Sequence, residues 1–367
     1  MKTSLSLLLA TAGAAVARNV VMENLGEIAA NEELTTEFKQ WMAANDKEYS
    51  GKTAIERQAI YYKNKFIVER MAAENDNDQA QYKLNKFADR NAGEMLMEIN
   101  SPMDADVQAK HMLPDLPVDD LPESWDWRDK GAVTDVANQG SAGSCWSFSA
   151  VGAMEGGYFI KHNKLQQLSP EFLVECDPRD CGVFGGWPYK AYEFTMAEGG
   201  IPADKDIPYC VGGFGCLPCM AKHYDKTMCG KHKDLICNKD RHVCDILEDK
   251  KKIAATVTDW FNVGKDEDQM RAALVKYGPL SVALNANWLQ FYFGGVSNPW
   301  FCDPLGLNHA VLIVGYGSET SAVGTEKPYW IVKNSWGESW GEQGYFRMIR
   351  NVGKCGINTA VTFPVMG

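Results

Sequence analysis

Four residues far apart in the chain carry the combination that acyl transfer requires: Gln139, Cys145, His309 and Asn334. Cys145 lies in Gln139-Gly-Ser-Ala-Gly-Ser-Cys-Trp-Ser-Phe-Ser149, where a Gly/Ser-rich turn gives way to helical spacing. Phe148, Val151, Met154, Tyr158 and Phe159 predict a helix from about Ser144 to Asn163, with those five on its buried face. A thiol at a helix N-terminus sits in the positive field of unpaired backbone N–H groups. That field favours the thiolate, which is the nucleophilic form. Such a nucleophile needs a base, a third group to orient the base, and donors for the oxyanion. His309 opens a predicted strand and Asn334 follows another. Gln139 precedes the thiol by six residues, and Gly140 and Gly143 let the backbone bring its amide back beside it. Each residue alone has a plainer meaning: a packed or disulfide-bonded cysteine, a structural histidine, an Asn-Ser-Trp-Gly turn. Their co-occurrence carries the chemical reading.

The elements that must position these groups are legible in outline. Helical patterns cover 33–45 and 53–75. Ser169-Pro170-Glu171 reads as an N-cap followed by proline at the first helical position. Leu280–Leu284, His309–Gly317, Tyr329–Lys333 and Gly344–Arg350 read as strands. Helices first and strands later give an α+β class with a helical half and a β-rich half. The 367 residues suffice for two or three domains, and a formal net charge of -11 argues against a nucleic-acid partner. Acidic residues outnumber basic ones by 20 to 13 in residues 1–120 and by 28 to 24 in residues 121–367. After the N-terminus no apolar run is long enough to span a bilayer, so no membrane partner is expected. Met1-Lys2, the apolar Leu5–Leu9 and Ala15-Val16-Ala17 form a secretory signal over 1–17. The eleven cysteines then meet an oxidising compartment, extracellular or lysosome/vacuole, and their odd number leaves at least one thiol over. No Asn-x-Ser/Thr sequon is present.

Trp125-Asp-Trp-Arg128, the stretch around Cys145, the double glycine Gly185-Gly186, Asn308-His309-Ala310 and Asn334-Ser-Trp-Gly337 occur in that order. In this the chain resembles papain-family, cathepsin L-like cysteine peptidases over nearly its whole length. The resemblance implies a papain-like two-lobed fold: a helical lobe and a β-barrel-like lobe, the active site in the cleft between, preceded by a helical inhibitory prosegment. It implies a signal over 1–17, a propeptide over 18–120 and a peptidase domain over 121–367 with a Cys-rich insertion at 210–244. Cys145 is then the nucleophile and His309 its imidazolium partner, the ion pair lowering the thiol pKa by several units. Asn334 orients His309, Trp336 shields their bond, and Gln139 with the Cys145 N–H forms the oxyanion site. The product is a zymogen, a monomer that needs no cofactor and no metal. Its partners are peptide or protein substrates and its own propeptide. Arg57, Ile60, Tyr61, Asn64 and Val68, then Asn85, Phe87 and Asp89, fall at the propeptide's motif spacing, with Thr53, Ala72 and Lys83 as departures. The proline-punctuated 113–122 reads as the exposed link cut on activation, acid loosening the prosegment through its carboxylates.

The resemblance also assigns Gly185, Gly186, Trp187, Pro188, Ala283, Ala310 and Ala360 to substrate binding. No acid lies in the second-residue (S2) pocket, so bulky apolar side chains are expected there rather than Arg. It implies a Cys302–Cys355 bridge. It also exposes a departure. Ala142 stands where the family carries a cysteine, and Val183 stands where its bridge partner belongs, so the staple beside the nucleophile is missing or rerouted through Cys181. The pairing of Cys176, Cys181, Cys210, Cys216, Cys219, Cys229, Cys237 and Cys244 stays open. Cys216 and Cys219 with His223 and His232 also fit a zinc site, against which the secreted context favours disulfides. An exopeptidase with its cleft closed by 210–244 is the rival enzyme. The adjacent His-His pair of the cathepsin B-type loop is absent, since His223, His232 and His242 stand apart. A non-catalytic, disulfide-stapled binding protein is the rival from another class.

Overall fold

A computed structural model describes residues 34–73, 80–97, 103–209, 221–232, 243–299, 302–320 and 324–367. The expected signal 1–17 lies outside these, as do Cys210, Cys216, Cys219, Cys237 and His242. The chain divides into two compact units, residues 1–74 with 82–91 and residues 75–81 with 92–367. Residues 92–120 of the expected prosegment therefore fall in the second unit.

In the first unit α1 (Thr36–Ala44) and α2 (Gly51–Ala73) pair through aromatic side chains. Thr35 Oγ1 caps α1 by accepting from Phe38 N. The rings of Phe38, Trp41 and Tyr61 pack with centroids 5.3 to 5.7 Å apart. The motif residues tie residues 85–90 to α2: Asn64 Nδ2 donates to Ala88 O and Arg90 O at 2.8 and 2.7 Å, and Arg57 donates to Asp89 O at 2.9 Å. Asp89 is fully buried, accepts from Tyr49 Oη and pairs with Lys47.

The second unit includes near its start a short helix, α3 (Ala105–Lys110), capped by Asp104. The His111 ring then stacks on Trp260, centroids 4.0 Å apart. Asn262 N donates to His111 O and Leu113 N to Asn262 O, so this stretch lies as a parallel addition to a strand edge. The helical part consists of α4 (Cys145–His162), α5 (Pro170–Cys176) and α6 (Pro188–Glu198). Ser169 Oγ caps α5 as its sequence predicts. α4 is buried from Cys145 to Gly156 except at Phe148, so of the five residues expected on its buried face Val151 and Met154 are buried while Phe148, Tyr158 and Phe159 are half-buried. Close approach explains its glycines: a Cβ at Gly156 would lie 2.4 Å from Pro279 Cδ.

Strands β1 (Trp125–Asp126), β2 (Val257–Asn262), β3 (Leu280–Leu284), β4 (Val296–Ser297), β5 (His309–Thr320), β6 (Glu326–Lys333), β7 (Tyr345–Ile349) and β8 (Val361–Met366) form one sheet. Its order is β2-β8-β3-β5-β6-β7-β4, with β1 paired to β5. Among the described residues its two ends, β2 and β4, do not pair, so the expected β-barrel-like lobe is an open sheet. Helix α7 (Glu267–Tyr277) lies between β2 and β3 in the chain and is capped by Asp266. β2, β8, α6 and α7 escaped the pattern reading: charged or proline residues such as Asp259, Pro364 and Glu193 break the apolar pattern of the first three, and α7 opens on Glu267-Asp268-Gln269. Register places Ala283 opposite Ala310 and Leu284 opposite His309, which sets the start of β5 beside β3.

Candidate active site

Cys145 is the first residue of α4, and the backbone supplies its polar surroundings. Ala310 N donates to Cys145 Sγ at 3.4 Å, which fixes the start of β5 against the start of α4. His309 Nε2 and Asn334 Oδ1 are 2.8 Å apart. Asn334 Oδ1 also accepts from Ser335 N, so it is the oxygen, and Nε2 of His309 carries the hydrogen. The other ring nitrogen, Nδ1, is thereby the proton acceptor; it is buried and makes no hydrogen bond. The Trp336 indole stacks on the His309 ring with centroids 4.8 Å apart, and Trp340 packs edge-on against Trp336. That apolar cover keeps water from the His309–Asn334 bond.

Gln139 is completely buried. Ser335 Oγ donates to its Oε1 at 2.5 Å, which orients the amide, and its Nε2 donates to Ala142 O at 2.7 Å. One amide N–H is thus committed and the second is available for an oxyanion. Sequence reasoning missed Ser335, although it sits inside the Asn-Ser-Trp-Gly stretch. It missed equally the cluster beneath: Glu155 accepts from Thr134 Oγ1 and Leu168 N, and Lys333 donates to Thr134 O. Burial raises the Glu155 carboxyl and lowers the Lys333 amine, outweighing their mutual attraction.

The substrate-binding candidates gather in one apolar cluster: Trp187, Ala283, Ala310 and Ala360 share it with Cys145 and Trp146. Met103 and Val107 pack into the same cluster. A Cβ on Gly186 would meet Asp180 Cγ and Trp146 Cδ2 at 2.7 Å, so this wall of the site can only be glycine. Asp180 Oδ1 accepts from Trp187 N at 2.8 Å and holds the wall from behind. Pro188 is the first residue of α6, and Gly185 has φ of 135°, outside the usual range of side-chain-bearing residues.

Met97 lies across the centre of the site. Its N–H donates to Asn308 O at 3.0 Å, and a Cβ on Gly143 would be 3.4 Å from Met97 Cα. Cys145 and His309 are fully buried. In this covered state desolvation pushes the thiol up to about 12, against the pull of the backbone N–H groups of Ala310, Trp146 and Cys145. Desolvation likewise takes His309 down to about 4, against the hydrogen bond to Asn334. The expected lowering of the thiol pKa is therefore absent here. Burial favours the neutral pair until water or substrate replaces the cover.

Cys302 and Cys355 are joined in a disulfide, as are Cys176 with Cys244 and Cys181 with Cys229. Cys145 is the free thiol among the described residues. Cys181 thus reaches into the 221–232 stretch and not to the Cys145 loop. Ala142 is buried without a bridge, and the loop is held instead by Gly143 N donating to Val183 O at 2.7 Å and Trp146 Nε1 to Gly182 O at 2.9 Å.

Residues 121–365 match the papain family cysteine protease domain, and residues 38–95 match the cathepsin propeptide inhibitor domain (I29). The chain belongs to the papain family of cysteine proteases. It is 44% identical over 260 residues to the probable cysteine protease RD19B of Arabidopsis thaliana, covering 68% of this chain and 64% of that protein. With cysteine proteinase 15A of Pisum sativum the identity is 36% over 339 residues, covering 89% of this chain and 85% of the relative. Among solved structures, digestive procathepsin L 3 of Tenebrio molitor larval midgut superposes with a TM-score of 0.69 at 30% identity, covering 89% of this chain and 97% of that one. By its family the chain is a cysteine-type peptidase, carrying an inhibitor-type propeptide domain.

Proposed function

We propose that the chain is the zymogen of a cysteine endopeptidase in which Cys145 attacks the peptide carbonyl. The observation that carries this is the meeting of Cys145 at a helix N-terminus with the bonded His309–Asn334 pair through Ala310 N. Once the site is uncovered, His309 Nδ1 takes the thiol proton, giving a thiolate–imidazolium pair. Attack produces a tetrahedral oxyanion that meets the free amide hydrogen of Gln139 and the Cys145 N–H. Collapse forms the acyl-enzyme as His309 protonates the leaving amine. Water, deprotonated by His309, then releases the acid and restores the thiol.

In this reading residues 1–17 direct export, 18–120 is the inhibitory segment and 121–367 the peptidase, routed outside the cell or to a lysosome or vacuole. Met97 is the covering residue, and Met103 and Val107 mark the apolar groove beside Trp187, Ala283, Ala310 and Ala360, which receives a bulky apolar second residue. The test uses acid-processed protein. An epoxide thiol inhibitor labels Cys145 and abolishes cleavage, and Cys145→Ser loses both. Peptides with Leu or Phe at the second position are cut faster than those with Arg. Faster cleavage of the Arg peptide refutes the pocket assignment. Inhibitor labelling that survives in Cys145→Ser, or turnover that survives there, refutes the nucleophile. Release of free amino acids or dipeptides alone, without internal cuts, would favour the exopeptidase.

A further inference from the structure

We propose that Tyr209 is a positioning residue for the oxyanion site, its hydroxyl tying together the two ends of the 139–144 loop. The Tyr209 hydroxyl donates to Gln139 O at 2.9 Å and lies 2.7 Å from Ser144 Oγ. A phenol has one hydrogen. Since it is given to the Gln139 carbonyl, Ser144 is the donor in the second bond, and the chain Ser144 to Tyr209 to Gln139 has one direction. Gln139 supplies the side-chain oxyanion donor and Ser144 immediately precedes the nucleophile, so one hydroxyl fixes the separation of the two halves of the oxyanion site. Burial raises the phenol well above its usual pKa, so the hydrogen stays in place at any working pH.

The anchor is itself held. The Tyr209 ring packs edge-on to Phe148, in the first turn of α4, with centroids 4.6 Å apart. Two residues upstream, Ile207 O accepts from Ser169 Oγ, the cap of α5, at 2.6 Å. Tyr209 is thus braced by two helices before it reaches the loop. It acts where the loop lacks a covalent tie: Ala142 has no sulfur and Cys181 is bonded elsewhere. The remaining ties of Gln139 run to Ser335 and Ala142, so without the hydroxyl its main-chain carbonyl and Ser144 both lose a partner.

This inference rests on the peptidase reading, which turnover by the wild-type chain tests separately. In protein expressed as the full chain and then acid-processed, Tyr209→Phe keeps the ring against Phe148 and removes the hydroxyl. We expect kcat to fall about ten-fold with KM within about two-fold, an interaction realised mainly in the transition state. Alkylation of Cys145 by iodoacetamide, which builds no oxyanion, should stay within about two-fold of wild type. In a Gln139→Ala background the same change should cost little more, because it acts through Gln139. Unchanged kcat overturns the proposal. So does a loss as large in the Gln139→Ala background, or a parallel loss of alkylation, either of which marks a general structural role. If Tyr209→Phe does not accumulate, Ser144→Ala removes one of the two bonds and is read by the same three measurements.

Discussion

Covering the site should make its opening pH-dependent, and His309 sets the size of the effect. Burial holds its imidazole at about 4, against an ordinary value of 6.5. A base whose pKa is depressed in the closed state contributes to closure above the higher value and loses that contribution as pH falls toward the lower one. In Cys145→Ser, where no thiol can supply the proton, opening re-solvates the ring and takes one up from solvent. With these two values the closed-to-open ratio falls by between one and two orders of magnitude from pH 7 to pH 4.5, about 2 kcal/mol. The reporter is the Met97 amide, which donates to Asn308 O next to His309. In Cys145→Ser protein, which cannot process itself, hydrogen exchange of the 95–97 segment corrected for intrinsic rates should show protection falling by that factor. Replacing His309 by Phe in the same background should flatten the response to a few-fold. A protection factor that is constant with pH, or that falls equally without His309, refutes the argument and places the acid sensitivity in other groups.

Two further outcomes follow from the wall of the site. Burial raises the Asp180 carboxyl and, beside it, that of Asp177, so the folded chain holds protons there that the unfolded chain has released, and stability declines as pH rises above the ordinary carboxylate range. Asp180→Asn should keep the bond from Trp187 N and flatten that decline between pH 5 and pH 7, measured by urea unfolding; an unaltered pH dependence refutes it. Gly186→Ala would force a Cβ to within 2.7 Å of both Asp180 and Trp146, so peptide cleavage should fall at least ten-fold through KM while the His309–Asn334 pair is undisturbed. Wild-type KM in that variant would show that the wall yields.

Several parts of the fold were readable because local chemistry decides them. The Gly/Ser turn before Cys145 and the apolar run after it place a helix start at the thiol, and α4 begins there. Ser169-Pro170 caps α5, and the uninterrupted apolar run after His309 makes β5. Elements whose pattern is broken by charge or proline were not readable. β2 and β8 are strands because they pair with each other and β8 pairs with β3, a non-local fact. The barrel-like expectation failed for a related reason, since closure depends on whether edge strands meet, and no residue pattern along one strand encodes that.

The sequence by itself determined which residues are chemically equipped: a thiol beside glycines, a histidine at a strand start, an amide on either side. The tertiary structure alone decided their state. Cys145 and His309 are separated by 164 residues, and register between β3 and β5 together with the Ala310 N bond brings them to one place. Burial raises the Cys145 thiol and lowers the His309 imidazole, which favours a neutral pair over the expected ion pair, because desolvation depends on everything packed around a group. The hold on the nucleophile's loop was decided in the same way. Ala142 told only that a bridge was missing; that Tyr209, Ser335 and Val183 supply bonds there depends on chain segments that meet only in the folded state.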